Sequence, residues 1–346
     1  MTSASRSSLL QHRRNFDGLR GLDADPLPKN GDCGTRLDRP IIIIGAARSG
    51  TDLLPAIIKL HRDVAYAAEP NYVWKYRNAW LGHDMLSAAH ATPEVRRYIC
   101  NRFERFCAKR GKRRLCEKTP ANSLRLAFVM QIMPDARVIH IVRNGRDVAA
   151  STRRKFYGDV SKLVRLEVNN PSDWTRRPLN HRAIAKIIRR GRHRLTVTPA
   201  RDILYHLPHF VNSILNMLRL RTRYMWGPRI PGFRQLMRSH SDIEVAALQW
   251  RTSVESVLNY RSNHPEMTYL EIKYEELCRH PIDTAKRVYE FCELEFDANI
   301  EQQVRSLLSG ALEISALKIE LSALEEQQVM DQIAHTLQEL GYNSPS

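Results

Sequence analysis

The stretch Ile41–Leu54 constrains the fold of this chain more than any other. Four consecutive isoleucines, Ile41–Ile44, run directly into a loop bounded by Gly45 and Gly50. An unbroken β-branched run is typical of a strand buried on both faces of a parallel sheet. An apolar helical pattern follows at Thr51–Leu60. Because glycines permit a tight turn whose N–H groups point at an anion, the stretch predicts a phosphate-binding loop before a helix.

The loop lacks the residues that hold a nucleoside triphosphate with its magnesium ion. Its glycine spacing matches G-x-x-x-x-G-K-[ST], but Thr51 stands in place of the lysine and Asp52 in place of the metal-binding hydroxyl. The basic residue lies inside the loop instead, as Arg48. We therefore expect a phosphate site without the grip on a triphosphate and its metal.

A second strand–turn–helix pattern is found at residues 137–156. A strand is predicted at Arg137–Arg143, and a helix from Arg146 towards Phe156. Arg143 lies where the strand ends, and ligands of open parallel sheets collect at the carboxyl ends of strands. Ser151 follows two helical turns later, so one ligand group could bridge Arg143 and Ser151. Two such anion sites suggest one ligand with two separated phosphate-like groups.

The two motifs together resemble those of the sulfotransferases that use 3′-phosphoadenosine-5′-phosphosulfate (PAPS). Ala47–Thr51 is similar to that family's 5′-phosphosulfate loop, and Arg143–Ser151 to its 3′-phosphate element. Four other stretches are also similar to its bacterial members: Glu117–Pro120, Trp226–Gly232, Gln249–Arg251 and Tyr269–Leu277. The resemblance covers roughly residues 38 to 342. With the strand–helix alternation, it implies an α/β fold with a three-layer core like that of P-loop NTPases and a central parallel sheet.

The resemblance also implies a set of residues that bind the donor PAPS. Arg48 is expected to stabilise the transferring sulfuryl group, Lys118 to neutralise the donor, and Tyr274 to lie near the adenine. Arg143 and Ser151 are expected to hold the 3′-phosphate. The complete expected set is Arg48, Ser49, Gly50, Thr51, Asp52, Lys118, Arg143, Ser151, Lys155, Tyr274 and Lys318. No metal is expected.

Glu69 is the candidate general base for the acceptor. It follows a predicted strand at Val64–Ala68 and precedes Pro70, which favours an extended backbone at Glu69. In several branches of the resembled family a glutamate near this place deprotonates the acceptor. The alternative for Glu69 is a salt bridge to a loop arginine. His61 and His140 are rival bases, although His140 alternates within a buried strand, as a core histidine does.

Asp52 departs from the resembled family, which usually has a second hydroxyl residue there. A carboxylate beside a bound phosphosulfate is repelled by it. A carboxylate near a helix N-terminus is favoured. Either Asp52 turns away and caps the helix, which leaves activity intact, or donor binding is weak and the chain is a degenerate member. We favour the first alternative.

The composition favours an anionic partner. The net charge is +17, and the most basic stretch, residues 176–201, contains no Asp or Glu. An anionic glycan or lipid headgroup is the expected acceptor class, and specific binding of nucleic acid is not expected because no known module for it is found. The six cysteines show no zinc spacing, and neither a secretory signal nor an apolar run of membrane-spanning length is evident. These features predict a cytoplasmic protein with reduced thiols.

The predicted organisation is a flexible arm at 1–37, a sulfotransferase-like domain at 38–342 and a short tail at 343–346. A largely helical, basic insertion is expected at about 157–240. The other predicted elements are helices at Asn71–Trp80, Pro93–Arg110, Asn122–Met133 with Asn122 as N-cap, Ser241–Asn263, Pro281–Cys292 and Leu324–Leu340, and strands at Pro40–Gly45, Arg114–Glu117 and Tyr269–Lys273.

The expected function is transfer of the sulfuryl group of PAPS to a hydroxyl or amine. Two alternatives stay open. One is a non-catalytic protein of the same fold that binds anions such as polysaccharides. The other, less favoured, is a nucleotide kinase, which needs a lysine after Gly50 and an acidic magnesium ligand at a strand end. The first of these is absent, and the second is not evident.

Overall fold

The computed structural model describes residues 37–164, 227–315 and 320–342. Within them lie five strands: β1 (Ile41–Ile44), β2 (Val64–Ala68), β3 (Arg114–Lys118), β4 (Arg137–Val142) and β5 (Tyr269–Lys273). The α-helices are α1 (Leu53–Ile58), α2 (Asn71–Trp74), α3 (Pro93–Ala108), α4 (Leu126–Ile132), α5 (Gly145–Val164), α6 (Phe233–Ser239), α7 (Asp242–Asn263), α8 (Tyr274–Arg279), α9 (Pro281–Phe291), α10 (Ala298–Ser315) and α11 (Ala323–Glu339). Two short 3₁₀ helices span Ala88–His90 and Pro120–Arg125.

The five strands form one sheet in the order β2-β3-β1-β4-β5, and every pairing is parallel. β1 is the central strand, with Ile43 opposite Lys118 of β3 on one side and Ile139 of β4 on the other. All five carboxyl ends therefore lie along one edge of the sheet. The loop after β1 lies between those of its two neighbours, at the position where open α/β sheets bind ligands.

Helices cover both faces of the sheet, which makes a three-layer α/β core as predicted. All four isoleucines of β1 are fully buried, because alternate side chains point to opposite faces. Ile42 and Ile44 belong to one apolar cluster, and Ile41 and Ile43 to another. The first cluster is completed mainly by α3, α4 and α7, and the second by α1, α9 and α10.

The packing of α5 against α7 fixes the end of β4. Gly145 begins α5, and a β-carbon added there would lie 2.7 Å from the Trp250 ring and 2.8 Å from Ile333. Real side chains do not approach this closely, so a glycine is required for the helix to come so near to α7. Trp250 is buried and donates from Nε1 to the carbonyl of Arg143 over 3.0 Å. It is thus a core residue that also fixes the position of the chain just before α5.

Most of the predicted elements are confirmed with small shifts of their ends. Two predictions were wrong. The helix expected at Asn71–Trp80 ends at Trp74. Asn122 is not an N-cap, since it lies inside the 3₁₀ helix, where its amide group donates to Glu117 and accepts from Arg125.

Helices α6, α8 and α10 were not predicted individually. α6 lies in the insertion expected at about 157–240, most of which is outside the described residues. No helix in the described ranges combines the length and the apolar character that crossing a bilayer requires. Over the same ranges, no cluster of three or more His, Cys, Asp or Glu side chains is arranged to hold a metal ion.

Candidate active site

The carboxyl ends of the five strands each contribute one part of a candidate site. In the spatial order of the strands these parts are Glu69 after β2, Lys118 at the end of β3, the loop 45–52 after β1, Arg143 after β4 and Tyr274 after β5. The order along the chain is different, because β3 is inserted between β2 and β1. The sheet thus brings together residues that the sequence separates.

The loop after β1 has the backbone of a close-packed turn. Gly45 has a φ of 149°, and a β-carbon there would lie 2.3 Å from the carbonyl oxygen of Ile141. Arg48 has a φ of 74°, in the left-handed region that non-glycine residues seldom adopt. Such strain persists only where the surroundings hold it, and it clusters at functional sites. The amide of Ser49 closes the turn by donating to Ala46 over 3.1 Å.

The two hydroxyl side chains of the loop, Ser49 and Thr51, are buried. Ser49 is fully buried, and its hydroxyl finds no hydrogen-bond partner in the part of the chain that the structure describes. Thr51 is buried beside it. Leu53 and Leu54 both donate to the carbonyl of Gly50. The amides of Gly50, Thr51 and Asp52 therefore lie before the first hydrogen bonds of the helix. A buried hydroxyl without a partner is costly, and an anion in the loop would satisfy it.

Arg48 contacts both Ser151 and Arg143 on one side of the loop. The Nε of Arg48 donates to the hydroxyl of Ser151 over 3.2 Å. One terminal nitrogen of Arg143 donates to the carbonyl oxygen of Arg48 over 3.4 Å, and the other lies 3.8 Å from Asp147. The two predicted anion-binding motifs are therefore joined directly.

Tyr274 packs between the loop and Arg143. A β-carbon on Gly50, which has a φ of 88°, would lie 2.3 Å from the Tyr274 ring. The guanidinium carbon of Arg143 stands 4.5 Å from the centre of the same ring, within the range of a cation–π contact. Tyr274 is thus held at the β5 end of the site, where a nucleotide base is expected.

Lys118 is the cation on the other side of the loop. Its side chain is only 2% exposed, and its ammonium lies 2.7 Å from Asp52 and 2.5 Å from Glu69. Burial disfavours the charged amine, but Glu69 and Asp52 more than compensate, so the pKa of Lys118 is raised above its ordinary value. Lys118 is therefore a permanent positive charge between the loop and Glu69.

The backbone of Glu69 is not extended, although Pro70 after it favours an extended conformation. Its φ is 50°, in the left-handed region. The reason is that Lys118 holds Glu69 twice, since the Glu69 amide donates to the Lys118 carbonyl over 2.8 Å while its carboxylate pairs with the ammonium. The salt bridge considered for Glu69 thus exists, but its partner is this lysine and not a loop arginine.

Asp52 also departs from the favoured expectation. It occupies the N-cap position of α1, yet its side chain accepts no capping hydrogen bond. The carboxylate is 77% exposed and accepts from Lys118 instead. The side chain turns towards the site, because the lysine offers a charged donor and the capping amides offer only neutral ones.

A buried polar network that the sequence did not reveal supports this end of the site. Glu117 is completely buried, and it accepts from Thr119 over 2.5 Å and from Asn122 over 2.8 Å. Burial raises the pKa of Glu117 to about 7. Arg125, also buried, links Asn122 to the side chain of Asn71, two residues after Glu69. Only the resemblance of Glu117–Pro120 pointed to this region.

The rival bases do not contribute to the row of strand ends. His140 is fully buried within β4 and bonded to the Tyr269 hydroxyl over 2.9 Å, so it is a core histidine, as expected. Its burial lowers the pKa to about 3. His61 precedes β2, at the opposite edge of the sheet, and burial lowers its pKa too.

Three of the residues singled out in the sequence lie outside the described part of the structure. They are the side chain of Lys155 within α5, Lys318 and Trp226. Among the other residues near the motifs, Arg146 pairs with Glu326 of α11 at 2.6 Å, which is a structural ion pair.

The geometry can now be compared with known proteins. A family model described as "Sulfotransferase family" matches residues 40–223 and 220–298. A protein-tyrosine sulfotransferase of Drosophila melanogaster is 30% identical over 120 residues, which are 32% of this chain and 24% of that protein. Protein-tyrosine sulfotransferase A of Caenorhabditis elegans is 29% identical over 156 residues, 39% of this chain and 40% of that protein. This chain thus matches less than half the length of each.

One solved structure shows the same fold. The sulfotransferase domain from the curacin biosynthetic pathway superposes with a TM-score of 0.50 at 15% identity, over 90% of this chain and all of that domain. The family match spans the loop after β1, both arginine-bearing motifs and the β5 strand, which is most of the site described above. The chain belongs to the sulfotransferase family.

Proposed function

We propose that this protein transfers the sulfuryl group of PAPS to a hydroxyl or amine of an acceptor. The proposal rests on the cations at the carboxyl ends of the strands. Arg48 lies in the loop after β1, and Lys118 and Arg143 lie on its two sides, at the ends of β3 and β4. Three cations without a triphosphate-binding lysine suit a donor that carries phosphate and sulfate groups.

The two anionic ends of the donor would lie on the two sides of Arg48. The 5′-phosphosulfate would be held by the loop, whose buried Ser49 hydroxyl is available to it. The 3′-phosphate would be held by Arg143 and Ser151, and the adenine would lie by Tyr274. Lys155 and Lys318 are further expected donor contacts.

Transfer would proceed in line. The acceptor oxygen or nitrogen attacks the sulfur, and Glu69 takes its proton as general base. The bond between sulfur and the bridging oxygen breaks, and the electron pair stays on the phosphate of the leaving 3′-phosphoadenosine-5′-phosphate (PAP). Arg48 and Lys118 stabilise the charge that develops on the bridging and sulfuryl oxygens, so positioning and electrostatics supply most of the catalysis.

The acceptor class is proposed more broadly. The net charge of +17 suits an anionic acceptor such as a glycan or a lipid headgroup. Similarity to protein-tyrosine sulfotransferases adds the phenolic hydroxyl of a peptide tyrosine to the acceptors worth testing. The proposal includes no specific nucleic-acid partner and no metal, and it keeps the cytoplasm as the site of action.

Calorimetric titration with PAP and with ATP–magnesium tests the donor site directly. We expect PAP to bind and ATP–magnesium to bind at least tenfold more weakly, and Arg143→Ala to weaken PAP by tenfold or more, because a charged hydrogen-bond partner is lost. Arg62→Ala is the matched control. It removes the same charge from an 81% exposed side chain just before β2, at the amino ends of the strands, whereas the site lies at their carboxyl ends.

Two results would overturn the proposal. Preference for ATP–magnesium would favour a nucleotide kinase. Absence of PAP binding, together with salt-sensitive binding of heparin, would favour the non-catalytic alternative, for which the Asp52 carboxylate in the loop is the supporting observation.

A further inference from the structure

The two carboxylates that share Lys118 differ in how firmly they are held. Glu69 is bound to Lys118 through both its backbone and its side chain and is 42% exposed. Asp52 is bound through its carboxylate to the same ammonium but is 77% exposed, and it makes no capping bond. Asp52 can therefore turn into solvent at the loss of one ion pair, whereas Glu69 is also held beside Lys118 by its backbone, because its amide donates to the Lys118 carbonyl.

Lys118 lies where the transferring group would have to be. Asp52 ends the loop that would hold the donor phosphate, and Glu69 is the base that would meet the acceptor. In-line transfer places the sulfur between these two partners, and the Lys118 ammonium is bonded to both Asp52 and Glu69. This step rests on the proposed function.

The Lys118 ammonium has no spare charge for a third anion. It already faces two carboxylates, so these three side chains together carry a net negative charge before any ligand arrives. A sulfuryl group entering beside Lys118 would stand against both carboxylates within one partly buried site. Like charges at such distances repel each other, and at exposed carboxylates such as Asp52 the repulsion is modest because water screens it.

We infer that Asp52 lowers the affinity for PAPS relative to PAP by competing with the sulfuryl group for Lys118. When the sulfuryl oxygens arrive, they replace Asp52 as the second partner of the ammonium, while Glu69 stays in place as the first. Asp52 then turns outward. PAPS must displace Asp52, whereas PAP, which lacks the sulfuryl group, fills the loop and leaves the Asp52–Lys118 pair intact.

The test is a comparison of PAPS and PAP binding across four chains, in the absence of acceptor. Asp52→Asn and Asp52→Thr remove the competing charge, and the second restores the hydroxyl that the resembled family has there. Asp63→Asn is the matched control, because Asp63 is also a carboxylate paired with a cation, Arg113 at 2.9 Å, but at the other edge of the sheet. The measurement is the ratio of the two dissociation constants by calorimetry.

We expect both Asp52 variants to bind PAPS about fivefold more tightly, near the upper range for an exposed ion pair, and to change PAP binding less than twofold. Asp63→Asn should change neither. In a Lys118→Met background, which keeps the aliphatic stem, Asp52→Asn should no longer alter the ratio of PAPS to PAP.

Three results would overturn the inference. Equal tightening of PAPS and PAP would mean that Asp52 acts by general repulsion. An unchanged ratio would mean that it does not compete at all, and an effect that persists without Lys118 would remove the proposed mechanism. Failure of the proposed function would look different from failure of this inference. In that case PAP would not bind the parent chain, or it would bind Arg143→Ala as tightly as the parent chain.

Discussion

Arg48 and Ser151 are hydrogen-bonded across two different strand ends, with 3.2 Å between the Arg48 Nε and the Ser151 hydroxyl. Arg48 belongs to the loop after β1, and Ser151 to the second turn of the helix after β4. The 5′ and 3′ halves of the proposed donor site are therefore already connected by protein atoms, which reduces the ordering that a ligand must impose.

This contact predicts that Arg48 and Ser151 act as a unit. Arg48→Ala and Ser151→Ala should each weaken PAP binding about tenfold, and the double variant should weaken it by clearly less than the product, because the residues contact each other. Ser239→Ala is the control, as its exposed hydroxyl bonds to the carbonyl of Gln235 at 3.0 Å and to the ring of the adjacent His240 at 2.8 Å. Strictly multiplicative effects in a calorimetric double-mutant cycle would contradict the prediction.

Gly50 should tolerate no side chain. Gly50→Ala would strain a φ of 88° and drive a methyl group into the Tyr274 ring, so we expect a loss of about 2 kcal/mol in the free energy of unfolding and weak PAP binding. Gly111→Ala separates the two causes, because Gly111 has a φ of 60° with nothing within 4 Å of an added β-carbon. It should lose about 1 kcal/mol and keep PAP binding.

Chemical denaturation of Gly50→Ala, Tyr274→Ala and the double variant completes that test. In the double variant the Tyr274 ring is absent, so Gly50→Ala should lower the free energy of unfolding less than it does when the ring is present. If Gly50→Ala is no worse than Gly111→Ala, the contact with Tyr274 does not limit this position.

Glu69→Gln should separate chemistry from binding. The amide keeps the shape of Glu69 and a hydrogen-bond partner for Lys118 but cannot take a proton, so turnover should fall at least 100-fold, while PAP affinity changes less than twofold. Turnover is measured by transfer of radiolabelled sulfate from PAPS to the best substrate in a panel of phenols, tyrosyl peptides and glycans. Glu94→Gln, at a glutamate paired with exposed Arg77, is the control and should be fully active. Retained turnover in Glu69→Gln would remove Glu69 from its role.

His140 predicts a loss of stability in acid. Burial lowers its pKa from an ordinary value of 6.5 to about 3, so the unfolded chain binds a proton that the folded chain refuses. The contribution of neutral, buried His140 to the free energy of unfolding is present in full above pH 6.5. It is lost as the pH falls from 6.5 towards 3, and the loss amounts to about 2 kcal/mol by pH 5.

The variant His140→Leu should show a shallower loss than the parent chain when urea unfolding is followed from pH 8 to pH 5. Tyr269 and Glu271, which lie next to His140, are not substituted in this variant. His335→Gln, at an 82% exposed histidine, should keep the slope of the parent chain. Equal slopes for all three chains would show that His140 is not the group responsible.

The sequence revealed the parts of the site that lie next to each other along the chain. Ile41–Ile44 with the two loop glycines predicted the buried strand and the anion loop, because strand burial and tight turns have strong local signals. Which strands are neighbours is not a local property. The pairing of Ala68 with Lys118 across β2 and β3, which brings Glu69 onto Lys118, could be inferred only by resemblance.

The errors have the same origin. Pro70 favours an extended residue before it, but two contacts with Lys118 override that preference at Glu69. Asp52 has the residue type and position of a helix cap, and the nearby ammonium draws it away. Nothing in the neighbours of Arg125 along the chain indicates that this arginine is buried beside Asn122 and Asn71.

The sheet order also sets the length of whatever fills the site. From β2 to β5 there are four inter-strand spacings, or about 19 Å. Tyr274 and Glu69 stand at the two ends of that distance, with the loop near its middle. A lone phosphate covers a small part of it. A nucleotide that extends from Tyr274 to the loop and an acceptor that approaches from the β2 side would together cover it, so the proposed reaction has a direction along the sheet, from the β5 edge towards the β2 edge.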